Sequence, residues 1–301
     1  MATILVTGAN GQLGSELRDI FRNESTYDVI YTDQSELNIT DSKAVFSFLE
    51  TNDVSLIINC AAYTAVDKAE DEPLLCEEVN SKAPGILADA CAKLGIFMIH
   101  VSTDYVFDGM GPVPYNEDKP ASPSGVYGMT KLNGEKAVGF SGCDYIIIRT
   151  SWLYSVYGNN FAKTILRLAQ ERDSLNVVFD QVGTPTYAAD LADVIFKISS
   201  LITDAKESGN SHRIDSGIYH FSNEGVCSWY DFACEIVKLS GEDCKVMPVT
   251  SEMFPTKARR PSYSVLNKAK IKQVYGIEIT HWRDSLNIFY NRLINLKSNH
   301  N

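Results

Sequence analysis

The chain has no Cys-x-x-Cys pair and no uncharged apolar run near the ~20 residues of a membrane span. Its seven cysteines, an odd number, are scattered from Cys60 to Cys244. That pattern argues for reduced thiols and against a zinc site or a disulfide framework. Basic residues are in deficit. Against 38 Asp and Glu stand 27 Lys and Arg, a net charge of −11, which disfavours nucleic acid or an anionic membrane as partner. The first strand-like run, Thr3 to Thr7, starts almost at Met1. It leaves no charged and apolar leader for secretion, so the expected location is cytoplasmic. No internal repeat or low-complexity segment is present. What remains is 301 residues, 45% of them hydrophobic, enough to bury the core of one large or two modest domains.

Thr7-Gly8-Ala9-Asn10-Gly11-Gln12-Leu13-Gly14 follows that first strand and runs into residues with apolar members at helical spacing. Strand, glycine turn and helix in this order predict a dinucleotide site. Gly8 permits the tight turn, Gly11 lets backbone approach a pyrophosphate, and Gly14 lets the helix pack on the strand. Asp33 ends the second strand, about twenty residues beyond Gly14, where such folds place the carboxylate that meets a ribose. A third apolar strand, Ser55 to Cys60, is followed by Ala61-Ala62-Tyr63-Thr64, small enough at its start for a flat cofactor to lie on the backbone. The acidic stretch Asp67 to Glu72 reads as a solvated helix start. Asn80 falls inside a long helix ending near Leu94, facing either solvent or the site.

The fourth strand ends at Thr103, and a proline-free helix begins at Tyr127, with Lys131 one turn along the same face. A phenol with a neighbouring ammonium suits proton transfer, because the cation favours phenolate and lowers a pKa that is ordinarily about 10. Thr103 sits at a strand end, where open α/β sheets bind ligands. Tyr115 and Lys119 have the same spacing, but lie among Pro112, Pro114 and Pro120, where a continuous helix is not expected.

Strands alternating with helices, and strands apolar along nearly their whole length, predict a doubly wound parallel α/β sheet of the Rossmann type over residues 1–152. The helix near 187–201 completes it. Residues 153–301 are expected to form mainly a smaller α/β substrate lobe: helices over 161–172, 228–239 and 281–296, strands over 176–179, 217–221 and 245–249, and a polar loop over 203–215.

Gly8-x-x-Gly11-x-x-Gly14, Thr103 and Tyr127-x-x-x-Lys131 resemble the extended short-chain dehydrogenase/reductase superfamily. Ala62-Tyr63-Thr64-Ala65-Val66-Asp67-Lys68-Ala69-Glu70, Ser102-Thr103-Asp104-Tyr105-Val106-Phe107, Arg149-Thr150-Ser151-Trp152, Gly158-Asn159-Asn160-Phe161 and Ala258-Arg259-Arg260-Pro261 narrow the resemblance to the dTDP-4-dehydrorhamnose reductase family. It spans nearly the whole chain. The resemblance implies reduction of the C4 ketone of dTDP-4-dehydro-β-L-rhamnose by NADPH or NADH. Tyr127 would protonate the forming alkoxide, Lys131 would tune Tyr127 and hold the nicotinamide ribose, and Thr103 would hydrogen-bond the carbonyl oxygen.

By the same resemblance, the cofactor would contact Asn10, Gln12, Leu13, Asn38 and Ile39 as well as the glycines, Asp33 and Ala61 to Thr64 (Ala61, Ala62, Tyr63, Thr64). The sugar nucleotide would contact Asp104, Val106, Trp152 and Asn160, with Arg259 and Arg260 on its diphosphate. Asp180 to Thr186 would help hold the nucleotide or simply form a turn. Some relatives bind Mg2+ through glutamates at a dimer contact, and Glu16 suits one such position. Ala189 stands where its partner is needed, with Asp190 one residue on, so a complete ligand set is not expected. The chain is expected to be a monomer or homodimer. Two readings remain beside this one: another sugar-nucleotide reductase or epimerase of the superfamily, and a non-catalytic NADP-binding subunit like the regulatory subunit of methionine adenosyltransferase.

Overall fold

Ile4, Leu5 and Val6 are all fully buried, yet successive side chains point to opposite sheet faces. Both faces must therefore be covered. In the computed structural model, which describes residues 2–22, 24–208 and 214–298, Ile4 and Val6 pack beneath one helical layer and Leu5 beneath another. The first half runs β1 (Ala2–Thr7), α1 (Gln12–Phe21), β2 (Tyr27–Thr32), α2 (Ser42–Thr51), β3 (Val54–Asn59), α3 (Val66–Ala69), α4 (Pro73–Glu77), α5 (Ala83–Leu94), β4 (Phe97–Thr103), α6 (Val126–Phe140) and β5 (Tyr145–Thr150). The second continues with β6 (Leu153–Tyr154), α7 (Phe161–Glu171), β7 (Ser174–Val178), β8 (Val182–Gly183), β9 (Thr186–Tyr187), α8 (Ala188–Glu207), β10 (Gly217–His220), β11 (Cys227–Ser228), α9 (Trp229–Ser240), β12 (Lys245–Val249), α10 (Ala269–Tyr275) and α11 (Trp282–Ser298).

Six parallel strands form the main sheet in the order β10-β5-β4-β3-β1-β2. The order reverses between β1 and β3, which opens a crevice above their carboxyl ends. Leu191, Ile195 and Ile198 of α8 pack with Leu13 and Leu17 of α1 on one sheet face. Val45, Leu87 and Val138 cover the other. The sheet thus takes both a helix and its edge strand β10 from the second half of the chain. A separate core gathers Ile165, Phe232, Trp282 and Phe289 from α7, α9 and α11 beside the parallel pair β7 and β12. Among the described residues no helix is long and apolar enough to cross a membrane.

Three local expectations change. The helix expected over 187–201 runs on to 207, because Ile202 and Ala205 continue its buried face. The loop expected over 203–215 therefore begins later, and its residues 209–213 lie outside the described residues. The long helix ending at Leu94 is interrupted by a π-helical turn, Glu78–Lys82. Pro84 supplies the reason: it cannot donate to the carbonyl four residues earlier, Asn80, and its ring crowds that carbonyl. The freed Asn80 carbonyl faces Gly134 of α6, where a β-carbon would lie only 2.2 Å away. Gly134, unfavourable to a helix on propensity, is thus required by close approach. Finally, α10 had no clear signal in the sequence; its apolar contribution to the core is chiefly Ile271.

Candidate active site

The glycine turn is shaped by contact on all sides. Gly8 has φ +64°, and a β-carbon there would lie 2.7 Å from Ala61; one on Gly14 would lie 2.6 Å from Ala9. Gly11 caps α1 without a side-chain partner, and the first turn carries no acidic residue. The unpaired amides at this helix start therefore offer donors to an anion. They open on a cavity of about 960 Å3 lined by Gly8, Gly11 to Gly14, Asp33, Asn38, Ile39, Ala61 to Thr64, Thr103 to Tyr105, Tyr127, Lys131 and Trp152. A diphosphate and two planar rings fit this set in chemistry: backbone donors at one place, small residues beside them, a carboxylate farther on.

Asp33 is fixed by its own neighbours. Its carboxylate accepts from the Asn10 amide at 3.2 Å and the Gln34 amide at 2.8 Å. Asn10 itself is exposed, and its backbone amide ties the turn to Asp33. Arg18, which sequence spacing did not single out, reaches the Asn10 carboxamide at 3.4 Å and lies over the Tyr31 ring. Tyr63 is held from two sides. Its backbone exchanges hydrogen bonds with the Asn80 carboxamide at 2.8 and 3.0 Å, and its hydroxyl donates to Glu72 at 2.5 Å. Asn80 is fully buried, so the solvent-facing alternative for it is removed.

Tyr127 and Lys131 enter from α6 and Thr103 from the end of β4, on one wall of the cavity. Thr103 Oγ1 accepts from the Tyr105 amide at 3.2 Å and donates to Asp104 Oδ1 at 3.0 Å. The Lys131 ammonium donates to the Val101 carbonyl at 2.7 Å. Burial pushes this lysine down to about 8, opposed mainly by the Glu135 carboxylate one turn along α6. Burial pushes the Tyr127 phenol up, with Thr103 offsetting part of the shift. The expectation that Lys131 lowers Tyr127 is corrected for the free chain: the ammonium is turned to Val101, and desolvation dominates at the phenol. Tyr127 is consequently a protonated donor. Asp104 is buried, pushed up to about 7 by desolvation, and its Oδ2 accepts no hydrogen bond.

Several residues expected in the substrate site lie elsewhere. Val106 is fully buried with Phe107, Tyr115, Leu132 and Leu266, leaving no surface for a sugar. Asn160 caps α7 through the Lys163 amide and gives its amide protons to Gln12 Oε1 and the Ser155 carbonyl. Its neighbour Asn159 lines the cavity instead. Trp152 does line the cavity, at φ +48°, with one face stacked on Trp229 at 3.6 Å between ring centroids. Arg259 and Arg260 line a second cavity of about 400 Å3 with Asp108, Met110, Asp180, Gln181 and Ser251. Arg260 donates to the Tyr105 hydroxyl at 3.1 Å and to Asp67, while Tyr105 packs edge-on against the Tyr127 ring at 5.4 Å. Tyr105 is therefore the side chain between the arginine and the proton donor, a connection no sequence spacing reveals.

The residues do not fit a metal ion at Glu16. Its Oε1 accepts from Ser155 and its Oε2 from Arg292, each at 2.5 Å, and Arg292 also pairs with Asp19. A guanidinium already supplies the positive charge. Asp190 is likewise taken up, by Asn223 and Ser285 at 2.5 Å. Among the described residues no group of three His, Cys, Asp or Glu side chains could hold a metal.

A doubly wound sheet with a glycine turn at its switch point, and a Thr, Tyr, Lys set facing it, defines a nicotinamide-dependent reductase of the short-chain type. The family model described as RmlD substrate binding domain matches residues 1–295. A dTDP-4-dehydrorhamnose reductase of Aggregatibacter actinomycetemcomitans is 41% identical over 95% of this chain and 97% of its own. A crystal structure of a dTDP-4-dehydrorhamnose reductase from Clostridium acetobutylicum superposes with a TM-score of 0.89 at 43% identity, covering 97% of this chain and 99% of that one. The Bacillus anthracis dTDP-4-dehydrorhamnose reductase, solved in complex with NADP, gives 0.87 at 37% identity, covering 97% and 100%. The chain belongs to the RmlD family of dTDP-4-dehydrorhamnose reductases.

Proposed function

We propose that this chain reduces the C4 ketone of dTDP-4-dehydro-β-L-rhamnose to dTDP-β-L-rhamnose with NADPH or NADH. The observation that carries the reading is the meeting of Thr103, Tyr127 and Lys131 on one wall of the cavity into which the glycine turn opens. The bound dinucleotide supplies hydride. The α1 amides, Gly8, Gly11 and Ala61 to Thr64 hold it, with Asp33 toward its ribose. Arg18, close to Asn10, gives the 2′-phosphate of NADPH a cation to meet, which suits use of both cofactors. Tyr127 gives the ketone oxygen a proton as negative charge develops on it, and Thr103 hydrogen-bonds that oxygen once its single hydroxyl proton turns to it from Asp104 Oδ1. Lys131 holds its positive charge beside the reacting groups. We take residues 153–301 as mainly the substrate lobe, beyond the helix and strand they lend to the sheet.

Arg260 and Arg259 are read as the diphosphate anchor, because the second cavity adjoins Tyr105 and guanidinium forks match phosphate oxygens. Such contacts lie away from the ketone and change little as hydride moves. Arg260→Ala is accordingly expected to raise KM for the dTDP-sugar with kcat comparatively preserved, the pattern of lost uniform binding. A charge-assisted pair contributes about 2–5 kcal/mol, roughly 30- to several-thousand-fold, and the lower end applies here because Arg260 must first leave Asp67. Steady-state kinetics with both ligands varied checks this. An unchanged sugar KM, or a loss confined to the dinucleotide, moves the arginine out of the substrate site.

A further inference from the structure

The acidic run after Ala65, expected to be solvated, has its carboxylates engaged. Asp67 accepts from the Ala258 amide at 3.0 Å and from Arg260; Asp71 pairs with Lys257; Glu72 accepts from the Tyr63 hydroxyl. Glu70 points the other way. Its Oε1 accepts from the backbone amide of Val126 at 2.9 Å. Val126 is the first residue of α6, and Tyr127 is the second.

We propose that Glu70 is the positioning residue for Tyr127, capping the catalytic helix from a separate segment of the chain. A helix start has amides without intrahelical acceptors, which a side chain at the capping position ordinarily satisfies. Here that position is Gly125, which has no side chain and makes no cap bond. A β-carbon on Gly125 would lie 2.9 Å from Glu70 Oε1, so the carboxylate would have to shift to admit it. The first amide of the helix is met by Glu70 instead. Glu70 in turn is located by its neighbours, because Asp67 and Asp71 fasten the segment to the arginine loop. Farther along α6, Glu135 is locked by Arg149. The end bearing the phenol takes its side-chain cap from Glu70.

Proton transfer tolerates little displacement: an error of about 1 Å in a reacting group costs on the order of a hundredfold. Glu70→Ala is therefore expected to lower kcat roughly tenfold to a hundredfold, with KM for the sugar nucleotide and dinucleotide affinity within about twofold. Glu70→Gln keeps a neutral acceptor and is expected to recover most of kcat. Gly125→Ala pushes the carboxylate off Val126 without removing it. It should reproduce the loss, while adding little in the Glu70→Ala background, because both act on one contact. If Glu70→Ala fails to fold, Gly125→Ala carries the same test. Wild-type kcat in the foldable variant, an equal loss in Glu70→Gln, or a loss lying in KM overturns the proposal. The inference rests on Tyr127 as proton donor, so Tyr127→Phe is assayed alongside. If that variant retains turnover, the donor assignment fails; if it is inactive while Glu70→Ala is not, only the role of Glu70 fails.

Discussion

Tyr127→Phe is expected to lower kcat by about 10²–10⁴-fold while leaving dinucleotide affinity nearly unchanged, the usual cost of losing a general acid. The substitution removes one hydroxyl and keeps the ring, so the edge-on contact with Tyr105 at 5.4 Å survives. Burial holds the phenol protonated in the free chain, which is the state a ketone reduction consumes. The glycine turn and Asp33 lie on other elements and are untouched. Single-turnover measurement with saturating NADPH separates the chemical step from binding. A rate like that of the unmodified chain would remove Tyr127 from the reaction.

The second large effect concerns stability. Arg149 and Glu135 form a two-pronged pair at 2.9 and 2.6 Å, with side chains only 3% and 2% exposed, and Ser102 adds a third hydrogen bond to Glu135. Taking two charges out of water is costly, and only their mutual attraction and hydrogen bonds offset it. Glu135→Ala leaves a buried guanidinium without the carboxylate that pairs with it. It should destabilise by roughly 3–5 kcal/mol, seen as a lower urea midpoint with an unchanged slope. Glu135→Leu combined with Arg149→Met removes both charges together and should cost much less. If Glu135→Ala unfolds at the midpoint of the unmodified chain, the pair is not what fastens α6 to β5.

The nucleotide-binding half was legible because its signals are local. A buried parallel strand is written as a continuous apolar run, and Gly8, Gly11 and Gly14 sit where turn geometry demands them. Tyr127 and Lys131 were legible for the same reason, one helical turn carrying both. What stayed hidden depends on contacts between distant segments. Asp67 and Glu70 read as solvated charges, and only the fold brings them to Arg260 and to the amide of Val126. Val106 is a sugar contact only by the family resemblance, and as an apolar residue beside a strand end it suits a core equally well; the short turn at Asp104 to Val106 drives it into the core. Lys131 was expected to lower the tyrosine. A pKa follows from burial and aim, and sequence spacing reports neither.

The reduction itself is tested by mixing the unmodified chain with NADPH and enzymatically prepared dTDP-4-dehydro-β-L-rhamnose, then following cofactor oxidation at 340 nm and identifying the sugar nucleotide by mass spectrometry. Oxidation of one NADPH for each dTDP-β-L-rhamnose formed is expected, with NADH also accepted. Tight NADPH binding without any oxidation in the presence of the ketosugar would contradict it and leave a dinucleotide-binding protein without this activity.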